Sequence, residues 1–295
     1  MSRAETDQGV AVNPLNSVVA AIENFDKLDG LASSLAGAVG RAVQARPVRN
    51  LLSGTLIGHP LHPVLTDLPI GAWSMAALLD VTGSEALAPA ADVLVTVGIA
   101  TAVPTAAAGL NDWSDTQGKV RRTGLVHAAA NSTALCLYIS SAAARAAGRR
   151  GLGKALGLGG FGVLMFGGAL GGHLTYSNAV NVNKTADRHG PSKWTPVLAE
   201  SDLSDDGHRK VKAGSITVLL HRSGTEIHAL DSVCNHMGGP LEEGEIANGC
   251  VTCPWHGSTF RLEDGSIVRG PASQPQPAYE TRINDGQIEV RRQPA

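Results

Sequence analysis

The chain reads as two domains, an all-α four-helix transmembrane bundle followed by an all-β domain of antiparallel sheets. Three observations carry that reading. Charged residues are only 17% of the 295, and they crowd into the first fifty positions and the region after 183, leaving long stretches between 64 and 180 almost uncharged. Beyond 195, short apolar runs such as SITVLLHRSGTEIHALDSV alternate with turn residues. Between those runs, the stretch 233–260 holds three of the four cysteines.

Four apolar segments are long enough to cross about 30 Å of hydrocarbon as helices: 63–81, 91–110, 123–144 and 155–176. The third and fourth contain no Asp, Glu, Lys or Arg, and the fourth is rich in glycine (GLGGFGVLMFGGALGG), as close helix packing in membranes prefers. Asp67, Asp80 and Asp92 lie near the ends of the first two. A soluble buried bundle would carry polar faces, and segments three and four show almost none. An even number of spans puts both termini on one side. Nine Lys and Arg (41, 46, 49, 119, 121, 122, 184, 188 and 193) would lie on that side, against four (145, 149, 150 and 154) on the other. The bias places both termini, and the β domain, in the cytoplasm.

Ahead of the spans, NSVVAAIENFDKLDGLASSLAGAVGRAVQ repeats apolar residues at helical spacing and reads as an amphipathic helix lying in the interface. The polar start MSRAETDQGV shows no cleavable leader. The expected organisation is a tail and interfacial helix at 1–50, spans at 51–180, a linker at 181–194 and the β domain at 195–295. A net charge of −2 gives no sign of nucleic-acid binding, and four cysteines are too few for a disulfide scaffold.

The segment LLSGTLIGHPLHPVLTDLPIGAW, with GLNDW, VHAAANS and GGHLTYSNAVNVN further on, resembles a bacterial four-helix membrane family marked by GHPLHP, over about residues 20–190. The resemblance supports the span count and implies no chemistry. In an up-down-up-down bundle, His59, His62, Asp112, His127 and His173 all fall at the face from which the C-terminal domain hangs, with Asp67 and Asn131 about one turn deeper. Ionisable groups at membrane depth tend to mark functional interiors. His62, His127 and His173 are therefore candidate ligands of a b-type haem or contacts of a quinone. Interfacial histidines bonded to loop backbone, with the prolines of GHPLHP setting a helix entry, are the competing reading.

In VCNHMGGPLEEGEIANGCVTCPWHGSTF the pairs are Cys234-x-His236 and Cys253-x-x-His256. Two Cys and two His suit either zinc or a 2Fe–2S cluster with both His on one iron. Zinc sites usually use Cys-x-x-Cys or His-x(3–5)-His pairs, whereas mixed pairs let each loop offer a thiolate to one iron and an imidazole to the other. Gly238, Gly239, Pro254 and Gly257 permit tight turns that aim N–H groups at sulfur. Cys250 reads as a small buried residue, Cys136 as packing within a span, and His189, His208, His221 and His228 as surface or strand positions. There is no Cys-x-x-Cys-His for covalent haem and no Gly-rich nucleotide motif between strand and helix.

Residues of about 195–292, through CNH, CPWHGSTF and RGPA, resemble a complete Rieske ferredoxin domain. The resemblance implies a cluster held by Cys234, His236, Cys253 and His256, with Ser258 bonding to it. The quinol-oxidising members of that family carry a disulfide where this chain has Gly239 and Trp255, and a hydroxyl-bearing Tyr where it has Phe260. Fewer hydrogen bonds to sulfur imply a potential of roughly −150 to 0 mV, low in a Rieske range of about −150 to +300 mV. The expected function is one-electron transfer by a membrane-anchored Rieske protein serving a redox partner protein (reductase, oxygenase or respiratory component). The alternatives are a membrane oxidoreductase with its own haem or quinone site and a non-enzymatic redox sensor.

Overall fold

A computed structural model describes residues 14–292. The leaderless reading of residues 1–10 lies outside them. Seven α-helices precede ten strands: α1 (Pro14–Asn24), α2 (Asp29–Ala42), α3 (Arg46–Ser53), α4 (Leu61–Thr82), α5 (Ala88–Ser114), α6 (Gly118–Ala146) and α7 (Arg150–Tyr176). The strands are β1 (Thr195–Ala199), β2 (His208–Ala213), β3 (Ile216–Ser223), β4 (Glu226–Asp231), β5 (Glu245–Ala247), β6 (Cys250–Thr252), β7 (Thr259–Arg261), β8 (Ile267–Arg269), β9 (Ala278–Asn284) and β10 (Gln287–Arg292).

The four long helices form a ring in which α4 pairs with α5, α5 with α6, α6 with α7 and α7 with α4, so α4 and α6 face each other across the diagonal. Small residues bring the axes together. The Trp73 ring stacks on Tyr138 with centres 4.1 Å apart, and its Nε1 donates to the Val95 carbonyl at 3.2 Å. Gly98 makes room for that indole, since a Cβ there would lie 2.2 Å from Trp73 Nε1. Gly98→Ala is therefore expected to cost about 1–3 kcal/mol through overpacking, seen as a lowered melting temperature in detergent. Pro69, inside α4, cannot donate to the Leu65 carbonyl one turn back. The Thr105 hydroxyl of α5 lies 3.2 Å from that carbonyl and 2.8 Å from the Thr101 carbonyl of its own helix, so its single hydrogen is shared between the two.

Only three helical segments among the described residues are long and apolar enough to cross a membrane: Leu61–Thr82, Glu85–Ser114 and Arg150–Tyr176. The third expected span does form a helix, α6. It falls short in composition because His127, Asn131, Ser132, Thr133, Ser140 and Ser141 dilute its apolar residues and Lys119, Arg121, Arg122 and Arg145 flank them. Cys136 is exposed on its outer face, not packed inside as its mid-span position suggests.

The amphipathic stretch before the spans breaks into α1 and α2. α1 lies against α6 and α2 against α5 and α6, with Ala32 and Ala36 buried beside Trp113, while Val18, Leu31 and Leu35 stay exposed. Arg122 of α6 grips Asp29 through two nitrogens at 2.7 and 2.9 Å.

The C-terminal domain has two antiparallel sheets, one of six strands in the order β1-β10-β9-β4-β3-β2 and one of four in the order β5-β6-β7-β8. Alternation along β3 sends Val218 and Leu220 into one apolar core and Leu219 into another. The second core, shared with Leu230, Val251 and Phe260, also contains Cys234 and Cys253. The segment 181–194 is tied to this domain by Lys184 N–H to the Asn235 carbonyl (2.9 Å) and by Arg188 to Asp231 (2.9 Å).

A candidate cluster site between two matched loops

Two loops project from the ends of the strands and fold alike. In the first, Cys234 N–H donates to the Gly239 carbonyl at 2.8 Å and Gly238 N–H to the Cys234 carbonyl at 2.9 Å. In the second, Cys253 N–H donates to the Ser258 carbonyl at 2.8 Å and Gly257 N–H to the Cys253 carbonyl at 3.0 Å. Gly238 and Gly257 take φ values of 84° and 73°, a region that L side chains avoid, so each loop needs its glycine to turn. Gly239 serves a different need. A Cβ there would sit 2.8 Å from Cys253 Sγ and 3.0 Å from Trp255 Cγ.

A third loop, after the cis Gly270–Pro271 bond, holds the first two in place. Gln276 accepts from Asn235 N–H at 3.0 Å and donates to the carbonyls of Asp231 and Val233 at 2.8 and 2.7 Å. Ser258 Oγ accepts from Ala272 N–H at 3.0 Å, which leaves its own hydroxyl hydrogen free for another acceptor among the described residues.

The structure brings Cys234, His236, Cys253 and His256 together at the meeting of the two loops. Both thiols are buried in one core, close enough to act on each other. Their contact and their burial push Cys234 upward, while that contact pulls Cys253 down. The imidazole centres are 5.2 Å apart with ring planes at 86°. Burial pushes His236 down to about 3 and lowers His256. His256 Nε2 is buried with no partner.

Among the described residues no three His, Cys, Asp or Glu side chains converge closely enough to hold a single ion. Zinc would need all four donors at one point. A two-iron cluster needs two pairs, thiolates at one iron and imidazoles at the other. Two imidazoles on one tetrahedral ion place their ring centres about 5 Å apart, which matches the His236–His256 spacing. The pairing and the spare Ser258 donor therefore fit a 2Fe–2S group. Cys250 stands apart in β6, half-buried and paired across the sheet with Ala247 and Arg261.

The remaining candidates lie in the helical domain. His62 of α4 and His127 of α6 approach across the bundle diagonal, with ring centres 6.3 Å apart. Each fixes its tautomer by donating Nδ1–H to a main-chain carbonyl, Thr105 at 2.9 Å and Gly167 at 2.8 Å. Gly109 and Gly171 leave space for these rings, since a Cβ on either would come within about 3 Å of one. His173 is separate: its Nε2 faces Glu23 Oε1 at 3.1 Å.

Sequence reasoning did not find how closely the two domains meet at the histidine edge. Asn50 accepts from Gly270 N–H at 2.8 Å, Thr55 donates to the Ala272 carbonyl at 3.0 Å, and Gln274 bonds to Gly58. Asp115, which follows α5, places Oδ2 3.8 Å from His236 Nε2. A cavity of about 300 Å³ opens beside it, lined among others by Asp112, Asn181, Asn235 and His236. The polar residues of GLNDWSD were the available signal, a dense polar cluster closing an apolar helix.

Two sheets, two matched Cys/His loops and a proline-bearing third loop define an iron–sulfur domain of the Rieske class. The chain belongs to that family: residues 193–280 match the Rieske 2Fe–2S domain, and residues 58–184 match the family described as predicted membrane protein DUF2231. The anthranilate 1,2-dioxygenase ferredoxin subunit of Burkholderia cepacia is 32% identical over 99 residues, which are 34% of this chain and 92% of that protein. Human apoptosis-inducing factor 3 is 34% identical over 95 residues, 32% of this chain and only 16% of that longer protein. The solved ferredoxin of carbazole 1,9a-dioxygenase from Nocardioides aromaticivorans IC177 aligns over 35% of this chain and all of its own, at 21% identity and a TM-score of 0.33.

Proposed function

We propose that this protein is a membrane-anchored one-electron carrier whose 2Fe–2S group is held by Cys234 and Cys253 on one iron and His236 and His256 on the other. The observation that supports it most is the division of the four donors into a thiol pair and an imidazole pair. The bound group supplies a reversible one-electron couple. The chain does the rest. The two loops present preformed donors, the core around Phe260 and Leu241 excludes water, and Ser258 offers a hydroxyl to sulfur. The helical bundle, with α6 crossing beside the more apolar α4, α5 and α7, anchors the molecule in lipid, and the Lys/Arg bias favours a cytoplasmic β domain. The oxygenase ferredoxins among the relatives suggest a redox protein as partner. Anaerobic EPR of the reduced, detergent-purified protein tests the reading: a low-average-g signal with two irons and two labile sulfides per chain is expected. Zinc without iron would overturn it.

Phe260 is fully buried in the same core as Cys234 and Cys253. Phe260→Tyr is expected to raise the midpoint potential, because a new donor to sulfur favours the more negative reduced state. A net hydrogen bond of ~1 kcal/mol corresponds to about 40 mV for one electron. Redox titration followed by EPR measures the shift.

A second reading, in which the helices carry a haem or quinone of their own, is favoured by the His62–His127 pair. These two rings, 6.3 Å apart in the bundle interior, would hold a haem iron or the head of a quinone, which would supply a second redox couple. A pyridine haemochrome assay of the wild type, with His62→Ala and His127→Ala, decides it. His173, engaged with Glu23, falls outside that pair.

A further inference from the structure

The histidine edge of the candidate cluster faces a built ionic group from the other domain. Arg49 of α3 is 4% exposed and Asn111 of α5 is wholly buried. Arg49 Nη1 donates to Asn111 Oδ1 at 2.8 Å, and Arg49 Nη2 pairs with Asp115 Oδ2. Asn111 in turn donates to Ser53 Oγ at 3.1 Å. The carboxylate is thus held from behind, and its Oδ2 lies 3.8 Å from His236 Nε2, longer than a hydrogen bond and close enough for its charge to act. A buried Arg–Asp pair is costly to desolvate and weak evidence of stability in itself. Here it stands against the ring of a candidate ligand, in the contact between the domains.

We propose that Asp115, fixed by Arg49, is a positioning residue of the redox centre: a carboxylate from the helical domain that orients the His236 ring and lowers the cluster's midpoint potential. This rests on the ligand set proposed above. Reduction adds one negative charge to the cluster, so a carboxylate beside its ligand disfavours the reduced state and a guanidinium behind that carboxylate offsets the effect. The helical domain then forms part of the electron-transfer unit as well as its anchor.

The test is EPR-monitored redox titration of the full-length protein in detergent, with iron and labile sulfide measured on each sample. Asp115→Asn should shift the midpoint potential upward and Arg49→Gln should shift it downward. Asp115→Glu should stay near the wild type. Asn50→Ala, which removes the uncharged bond to Gly270 at the same interface, should also stay near the wild type. Opposite signs for Asp115→Asn and Arg49→Gln are what a purely structural role would not produce. Loss of the cluster in Asp115→Asn with retention in Asp115→Glu would likewise support the positioning role. An unmoved potential in Asp115→Asn, shifts of the same sign in both charge variants, or an equal shift in Asn50→Ala would overturn the proposal. Absence of the low-average-g signal from the wild type would instead overturn the ligand set.

Discussion

Cys253→Ala and His236→Ala are each expected to leave a folded protein that has lost its iron and sulfide. Thiolate and imidazole are direct ligands in the proposed site, so removing either opens one iron to solvent and thiols. The loops themselves should persist. Their turns are closed by main-chain bonds from Cys234 N–H and Cys253 N–H, the first is clamped by Gln276 and the second tied through Ser258 to Ala272, and none of these uses the ligand side chains. The larger sheet has a separate core, built on Val218, Leu220, Ile288 and Val290. Iron should fall from about two per chain to near zero, with the far-ultraviolet circular dichroism little changed and the melting temperature lowered by loss of the bound group. Full iron content in Cys253→Ala would remove Cys253 from the ligand set. Cys250→Ala is the matched control: it should keep both irons, because that thiol lies in β6 away from the loops.

What could be read before the fold was known depended on the range of the interactions involved. The Cys/His loops are local: ligands, turn glycines and the spare hydroxyl of Ser258 lie within 25 residues of one another, so spacing alone suggested a mixed thiolate and imidazole set. The long apolar helices were equally legible, because period and length need no partner. α6 was the exception, since the uncharged core of 123–144 hides how many hydroxyl and amide groups it carries. The amphipathic stretch before the spans was read as an interfacial helix; α1 and α2 pack part of their surface on α5 and α6 and leave Val18, Leu31 and Leu35 exposed. Apolar periodicity reports that a face is covered and not by what. His62, His127 and His173 were grouped because they share one end of the bundle. Axial position follows from sequence, but rotation about each axis does not, and rotation sets His62 against His127 and turns His173 toward Glu23. Pairings such as Arg49 with Asp115 join residues 66 apart and left no local mark.

At the end of the bundle far from the β domain, Arg145 of α6 joins α4 and α5, beside a second tie from Arg150 of α7 to Asp92 of α5. Its Nη1 donates to Asp80 Oδ1 of α4 at 3.1 Å and to Asp92 Oδ1 of α5 at 2.9 Å, and its Nη2 pairs with Asp80 Oδ2. Its Nε donates to Ser141 Oγ at 3.1 Å, and Ser141 donates to the Gly153 carbonyl of α7 at 2.6 Å. The Arg145 and Asp80 side chains are only 3% and 4% exposed, so neither can turn to water if the other is removed. Arg145→Leu is therefore expected to cost about 3–5 kcal/mol, because it strands a carboxylate among apolar helices. Asp92 is less affected, since Arg150 Nη2 remains at 2.8 Å. Adding Asp80→Leu to Arg145→Leu should recover part of the loss by removing the stranded charge, so the double variant should melt above the single one. Thermal unfolding in detergent, scored by helical circular dichroism, measures both. A single variant within about 1 kcal/mol of wild type would mean that the cluster behaves as a surface ion pair. A double variant below the single one would mean that Asp80 holds the bundle through bonds of its own, independent of Arg145.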